Sequence, residues 1–154
     1  MIEIMEAVRD TIAASPDFIA EIDDVGVDPL DRIFFLRNDI DLPASMIKER
    51  PFVVVDIPKL NWIQGNAGDR CPDENSSVSM VFGVSADPAM SVDDDTTRVV
   101  TYLTNVLRYL FESSPARIQS LTEASRPYLP PETKRAGDGV NDYWHSAYMI
   151  NVSV

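Results

Sequence analysis

Hydrophobic positions along this chain follow two periods, one helical and one extended. In "IEIMEAVRDTIAAS", Ile4, Val8 and Ile12 recur at i, i+4 and i+8, with Met5 beside them. Glu3, Glu6, Arg9 and Asp10 occupy the other faces. This predicts an amphipathic helix over residues 2–14, stopped where Pro16 bars Ser15 from helical conformation. The longer stretch "VDDDTTRVVTYLTNVLRYLFESSP" repeats the pattern through Val99, Val100, Leu103, Val106, Leu107, Leu110 and Phe111. Asp93, Asp94 and Asp95 stand where acids favour a helix N-terminus. Threonines 96, 97, 101 and 104 lower its propensity, so packing must supply its stability.

The extended period appears elsewhere. "RIFFLRN" is short, apolar and aromatic. "FVVVDI" (residues 52–57) is a β-branched run bounded by Pro51 and Pro58. In "SVSMVFGVSA", Val78, Met80, Phe82 and Val84 alternate with Ser79, Val81, Gly83 and Ser85. In "YWHSAYMINVSV", Trp144, Ser146, Tyr148, Ile150 and Val152 share one face, and His145, Ala147, Met149, Asn151 and Ser153 the other. Phe18, Ile19 and Ile22 suggest a short helical turn. Residues 63–77, "IQGNAGDRCPDENSS", read as a long polar loop joining two strands of a hairpin. Ser114 followed by Pro115 suggests the start of a short extra helix. Residues 125–142 read as irregular, closing on the turn chemistry of "GDGVND".

Two single-faced helices and several single-faced strands need a common core. The economical arrangement is α+β: a twisted, mostly antiparallel sheet with the two main helices packed on one face. The length of 154 residues fits one domain, and no repeat or linker divides it.

Charge narrows the function. The net charge is −12, the opposite of a nucleic-acid-binding footprint. It is also uneven: residues 1–95 carry 20 acids and 7 bases, residues 96–154 carry 5 acids and 6 bases. That asymmetry suits electrostatic contact between neighbouring copies. No apolar run reaches the roughly 18 residues of a membrane span. "MIEIMEAVRD" lacks the basic start of a signal peptide, so folding in a cytoplasm is expected.

Motifs for chemistry are sparse. Cys71 is the single cysteine and His145 the single histidine. Arg70 beside Cys71 favours a thiolate, but no sequence signal joins Cys71 to His145. The carboxylates at Asp23, Asp24, Asp28 and Asp31, at Asp39 and Asp41, and at residues 93–95 lack calcium-loop spacing. No glycine-rich phosphate loop is present. No metal, cofactor or catalytic residue is assigned. Trp62, large and aromatic between polar neighbours, fits either core packing or an interface.

The opening helix, the proline-bounded strand "PFVVVDIP", the hairpin to "SVSMVFGVSA", the second helix and the aromatic strand "DYWHSAYMINVSV" together resemble the tail terminator, or tail completion, proteins of tailed bacteriophages. That resemblance implies a tail-tube-like fold and a structural, non-enzymatic virion protein. Its copies would form a ring, usually of six, on the head-proximal end of the tail tube. The ring ends tube polymerisation and offers a docking surface to the head–tail connector. In contractile tails it also engages the sheath. DNA would pass the lumen without specific binding, in a virion tail assembled in the host cytoplasm. Within this reading the long loop is the assembly element. Its candidate contacts are Trp62 at the base, Gln64 and Asn66, then Asp69, Arg70, Asp73 and Glu74. The alternatives are another neck, head–tail joining or baseplate subunit, a small cytoplasmic enzyme using Cys71, His145 and loop carboxylates, or an acidic protein-binding module.

Overall fold

The computed structural model describes residues 2–35, 49–56, 59–64, 70–87, 89–115, 117–128 and 143–153. Among these residues, three helices, α1 (Ile2–Ala13), α2 (Pro16–Glu21) and α3 (Val92–Ser113), accompany a 3₁₀ turn at Pro29–Arg32. Six strands of the described residues form one sheet: β1 (Ile33–Phe35), β2 (Phe52–Val55), β3 (Lys59–Gln64), β4 (Arg70–Ser85), β5 (Arg117–Tyr128) and β6 (Tyr143–Ser153). The order is β1-β2-β4-β6-β5, and β3 also pairs with β4. The β1/β2 pair is parallel and every other pair antiparallel. The architecture is the α+β arrangement expected from the two periods.

Alternation sorts the sheet into two faces. Val53 and Val55 of β2, Val78, Met80, Phe82 and Val84 of β4, and Trp144, Tyr148 and Ile150 of β6 are buried together. α1 covers them with Ile4, Met5, Val8 and Ile12, and α3 with Val99, Leu103, Val106 and Leu110. Phe82 and Tyr148 meet edge to face, with ring centroids 5.8 Å apart, a favoured aromatic geometry. The opposite face holds a smaller cluster: Phe52 and Val54, with Phe34 and Val81 packed against them. Gly83 is required there. It pairs with Phe52, and a Cβ at Gly83 would clash with the edge of the Phe52 ring.

Local signals set the helix ends. α1 closes at Ala13, and Pro16 begins α2 as its first residue. Phe18, fully buried, anchors α2 in the core. Ser91 caps α3 by accepting from the Asp94 N–H at 3.2 Å. Thr96, Thr97 and Thr101 donate to carbonyls four residues back, so their hydroxyls stay satisfied within the helix. Two residues expected on the apolar face of α3, Val100 and Phe111, are instead exposed. The stripe that packs is narrower and takes in Tyr102.

Four expectations need correction. Residues 63–77 are not one long loop, because β3 extends to Gln64 and β4 begins at Arg70. Ladder bonds use backbone groups that every residue except proline carries in full, and hydrophobic alternation reveals a strand only where one face is buried. The extra helix at Ser114 and Pro115 is replaced by β5. Its register breaks at three places, between Ile118 and Ser120, Glu123 and Ser125, and Ser125 and Tyr128. The first break adds a residue, so Ile118 and Leu121 both reach the main core three positions apart. That spacing imitates a helix. The irregular segment 125–142 is therefore strand up to Tyr128, and its remainder, with "GDGVND", lies outside the described residues. The strand over residues 52–57 closes at Val55, with Ile57 outside the described residues.

Candidate functional site

β4 joins two features at its opposite ends. Its 16 residues correspond to about 50 Å of extended chain. At the C-terminal end lies a charged cleft, and at the N-terminal end a two-stranded arm.

The cleft has a volume of about 380 Å³. Glu21 and Asp23 at the end of α2, Arg50 before β2, Ser85 and Asp87 after β4, and Arg98 of α3 line it. Its wall is an ionic network centred on Asp95, whose side chain is 0 % exposed. The Asp95 carboxylate accepts from Trp144 Nε1 at 2.7 Å, Arg98 Nε at 2.8 Å and the Asp87 N–H at 3.1 Å. Arg98 also donates to Glu21 at 2.8 Å and to the Ser85 carbonyl at 2.6 Å. Burial pushes the Asp95 carboxyl upward, but the bonds from Trp144, Arg98 and Asp87 outweigh it and hold its pKa below the ordinary carboxylate value. Burial lowers Arg98 in turn, and its bonds to Asp95 and Glu21 more than restore it. Beside this network, burial and the charges of Glu21 and Asp17 push the Tyr102 hydroxyl far upward, so it stays protonated.

This constellation is a clamp. It ties α2, α3, the end of β4 and the start of β6 at one point. Among the described residues lining the cleft there is no histidine or cysteine, and Ser85 acts through its carbonyl. The sequence reading missed it. The three aspartates look alike as helix-start acids, yet Asp95 alone turns inward. Its spacing of three from Arg98 was the available signal. Trp144 hides inside an apolar alternation, although a buried indole N–H requires an acceptor.

The arm is built from the residues expected to make assembly contacts. Trp62 lies in β3 opposite Pro72, and Gln64 opposite Arg70. Asp73 and Glu74 lie in β4 where the register shifts between Leu60 and Trp62. Asn66 and Asp69 lie outside the described residues. β6 pairs with β4 only from Asn75 onward. Residues 70–74 therefore have β3 as their one ladder neighbour among the described residues, an arm of about 17 Å past the sheet. The structure brings five of the seven candidates onto this arm. It also moves Cys71 from a loop into β4, opposite Ile63, while His145 in β6 pairs with Gly83 and Tyr128. The two thus occupy β4 positions 12 residues apart in register, about 40 Å of strand. Among the described residues no group of three His, Cys, Asp or Glu side chains is arranged to hold a metal ion. None of the described helices is long and apolar enough to cross a membrane.

No protein-family model matches this chain, and no curated protein matches it.

Proposed function

We propose that this chain is a structural virion subunit. Its copies close into a ring, six by resemblance, that caps the head-proximal end of a phage tail tube and presents a surface to the head–tail connector. The β3/β4 arm carries this reading. A two-stranded ribbon is marginal by itself in water, so an arm that runs past its own sheet is a natural contact element for a neighbouring subunit. The uneven charge of the chain supports contact between unlike surfaces of successive copies. The clamp around Asp95 supplies a firm base at the far end of β4.

Electron imaging of the purified protein, alone and mixed with tail tubes from the same source, tests the proposal. Rings, or caps at one tube end, are expected. Free monomers that ignore both tube ends would overturn it. Replacing residues 61–75 with an Asn-Gly turn should leave the monomer folded and abolish assembly. Assembly that survives the deletion would reduce the arm to a connection.

One observation favours a second reading, an acidic protein-binding module. Residues 2–35 carry nine acids against Arg9 and Arg32, and both arginines are paired, with Asp10 and Asp24. A stable monomer that captures a basic protein in a salt-sensitive way would select this reading instead.

A further inference from the structure

The outward side of α3 is built unlike a solvated helix face. Charged residues make up 25% of this chain, yet none of the exposed residues between Asp94 and Arg108 is charged. They are Thr97, Val100, Thr101 and Thr104. β-Branched residues lower helix propensity, and lysine or glutamate would suit solvent and helix better. Thr97 and Thr101 donate their hydroxyls to the carbonyls of Asp93 and Thr97, which leaves their methyl groups for contact. Apolar side chains close both ends of this strip: Phe111 is 51% exposed, and Met90, just before the Ser91 cap, is 37% exposed.

The strip is also self-complementary. Around α3, Asp93, Thr97, Thr104, Arg108 and Phe111 fall within about 30° of one line, with Val100 and Thr101 about 50° to either side. Asp93, Asp94 and Arg108 are exposed, and among the described residues none of their side chains has an ion-pair partner. A second α3, turned end over end about a point between Val100 and Thr101, sets its Asp93 and Asp94 against Arg108. It also sets its Thr104 against Thr97 and its Met90 against Phe111. A parallel copy in register would set Arg108 against Arg108. Glu112, the other exposed charge of α3, lies on the flank one turn past Arg108.

We propose that the α3 helices of two copies pack antiparallel along this strip, about a twofold axis between Val100 and Thr101. The contact is isologous and closes at two copies, so it goes beyond the ring reading and does not depend on it. The 22 residues of α3 span about 33 Å, so the strip covers about 300–400 Å² per copy, less than half of the ~800 Å² per partner of a standard interface. The pair is therefore weak and forms at chain concentrations on the order of 100 µM.

Sedimentation equilibrium of the full chain at about 10–500 µM tests this, in about 0.15 M salt, where charge acts over about 8 Å. Arg108→Asp should weaken association by about tenfold or more and leave the melting temperature near wild type, because Arg108 is exposed. Asp93→Arg should weaken it too, and the chain carrying both changes should associate more tightly than either single variant. A disulfide reads the geometry directly. Cys71 is the single cysteine, so Cys71→Ala provides the background. Near the axis, two copies of Thr101→Cys lie close enough to link, whereas two copies of Thr97→Cys stand about 10 Å apart along the helices, too far for a disulfide. Mild oxidation should link Thr101→Cys at least about tenfold faster than Thr97→Cys, whether or not rings form. Equal linking rates, or a charge-swapped chain that associates no more tightly than the single variants, would overturn the pairing. Rings with equal linking rates leave the ring reading standing alone, and the Thr101→Cys link without rings does the reverse.

Discussion

Replacing Asp95 by alanine tests the clamp directly. The substitution strands the buried Trp144 indole N–H and the Asp87 N–H, each at about 1–3 kcal/mol for a lost buried partner. Arg98 loses one carboxylate but keeps Glu21 and the Ser85 carbonyl, so its share is smaller. The terms overlap, and the total should fall near the 3–5 kcal/mol of a broken buried ion pair. At this chain length each kcal/mol moves the melting temperature by about 2–4 °C, so a drop of about 10 °C is expected. Circular dichroism melts near neutral pH read it. Combining Asp95→Ala with Trp144→Phe should give less than the sum of the single effects, with coupling of about 1 kcal/mol or more. The pH dependence has a definite sign. Because folding holds the Asp95 carboxyl below its ordinary value, its stabilisation is full above the unfolded carboxylate range. It is lost as pH falls from about 4 through the folded pKa. The gap between wild type and Asp95→Ala should therefore close on acidification. An Asp95→Ala protein melting within about 2 °C of wild type, or two strictly additive substitutions, would refute the clamp.

Three further outcomes follow from the packing. Gly83→Ala should lower stability by about 1–3 kcal/mol by forcing the Phe52 ring aside, and Phe52→Leu should recover part of the loss in a thermal melt. Phe18→Ala should cost about 3–5 kcal/mol in urea unfolding, because α2 has no other fully buried apolar anchor among its residues. Cys71→Ala and His145→Ala should leave folding and assembly intact by circular dichroism and light scattering; loss of a measurable catalytic activity with either would revive the enzyme reading.

The legible elements are those with one buried face and a capped end. α1, α3, the second half of β4 and β6 each carry an apolar row that the core accepts, in α3 without Val100 and Phe111. β5 was illegible because its register breaks turn a two-residue period into Ile118 and Leu121, three apart. The arm was illegible for a different reason. "RCPDENSS" has no periodic apolar row, and its strand is made by backbone bonds to residues several positions back along the hairpin. The candidate contacts were named by residue, but as a loop; only the register shows them as two paired strands reaching past β6.

The sequence by itself determined the fold class, the common face on which two helices lie, and the acidic, uneven charge, since each depends on local period or on composition. The tertiary structure decided which of three neighbouring aspartates is buried. It decided that Trp144 and Arg98 meet at Asp95, 49 and 3 residues away along the chain. It also decided which strands pair and in what register. These depend on chain segments distant in sequence arriving at one place, and a one-dimensional pattern holds no record of that arrival.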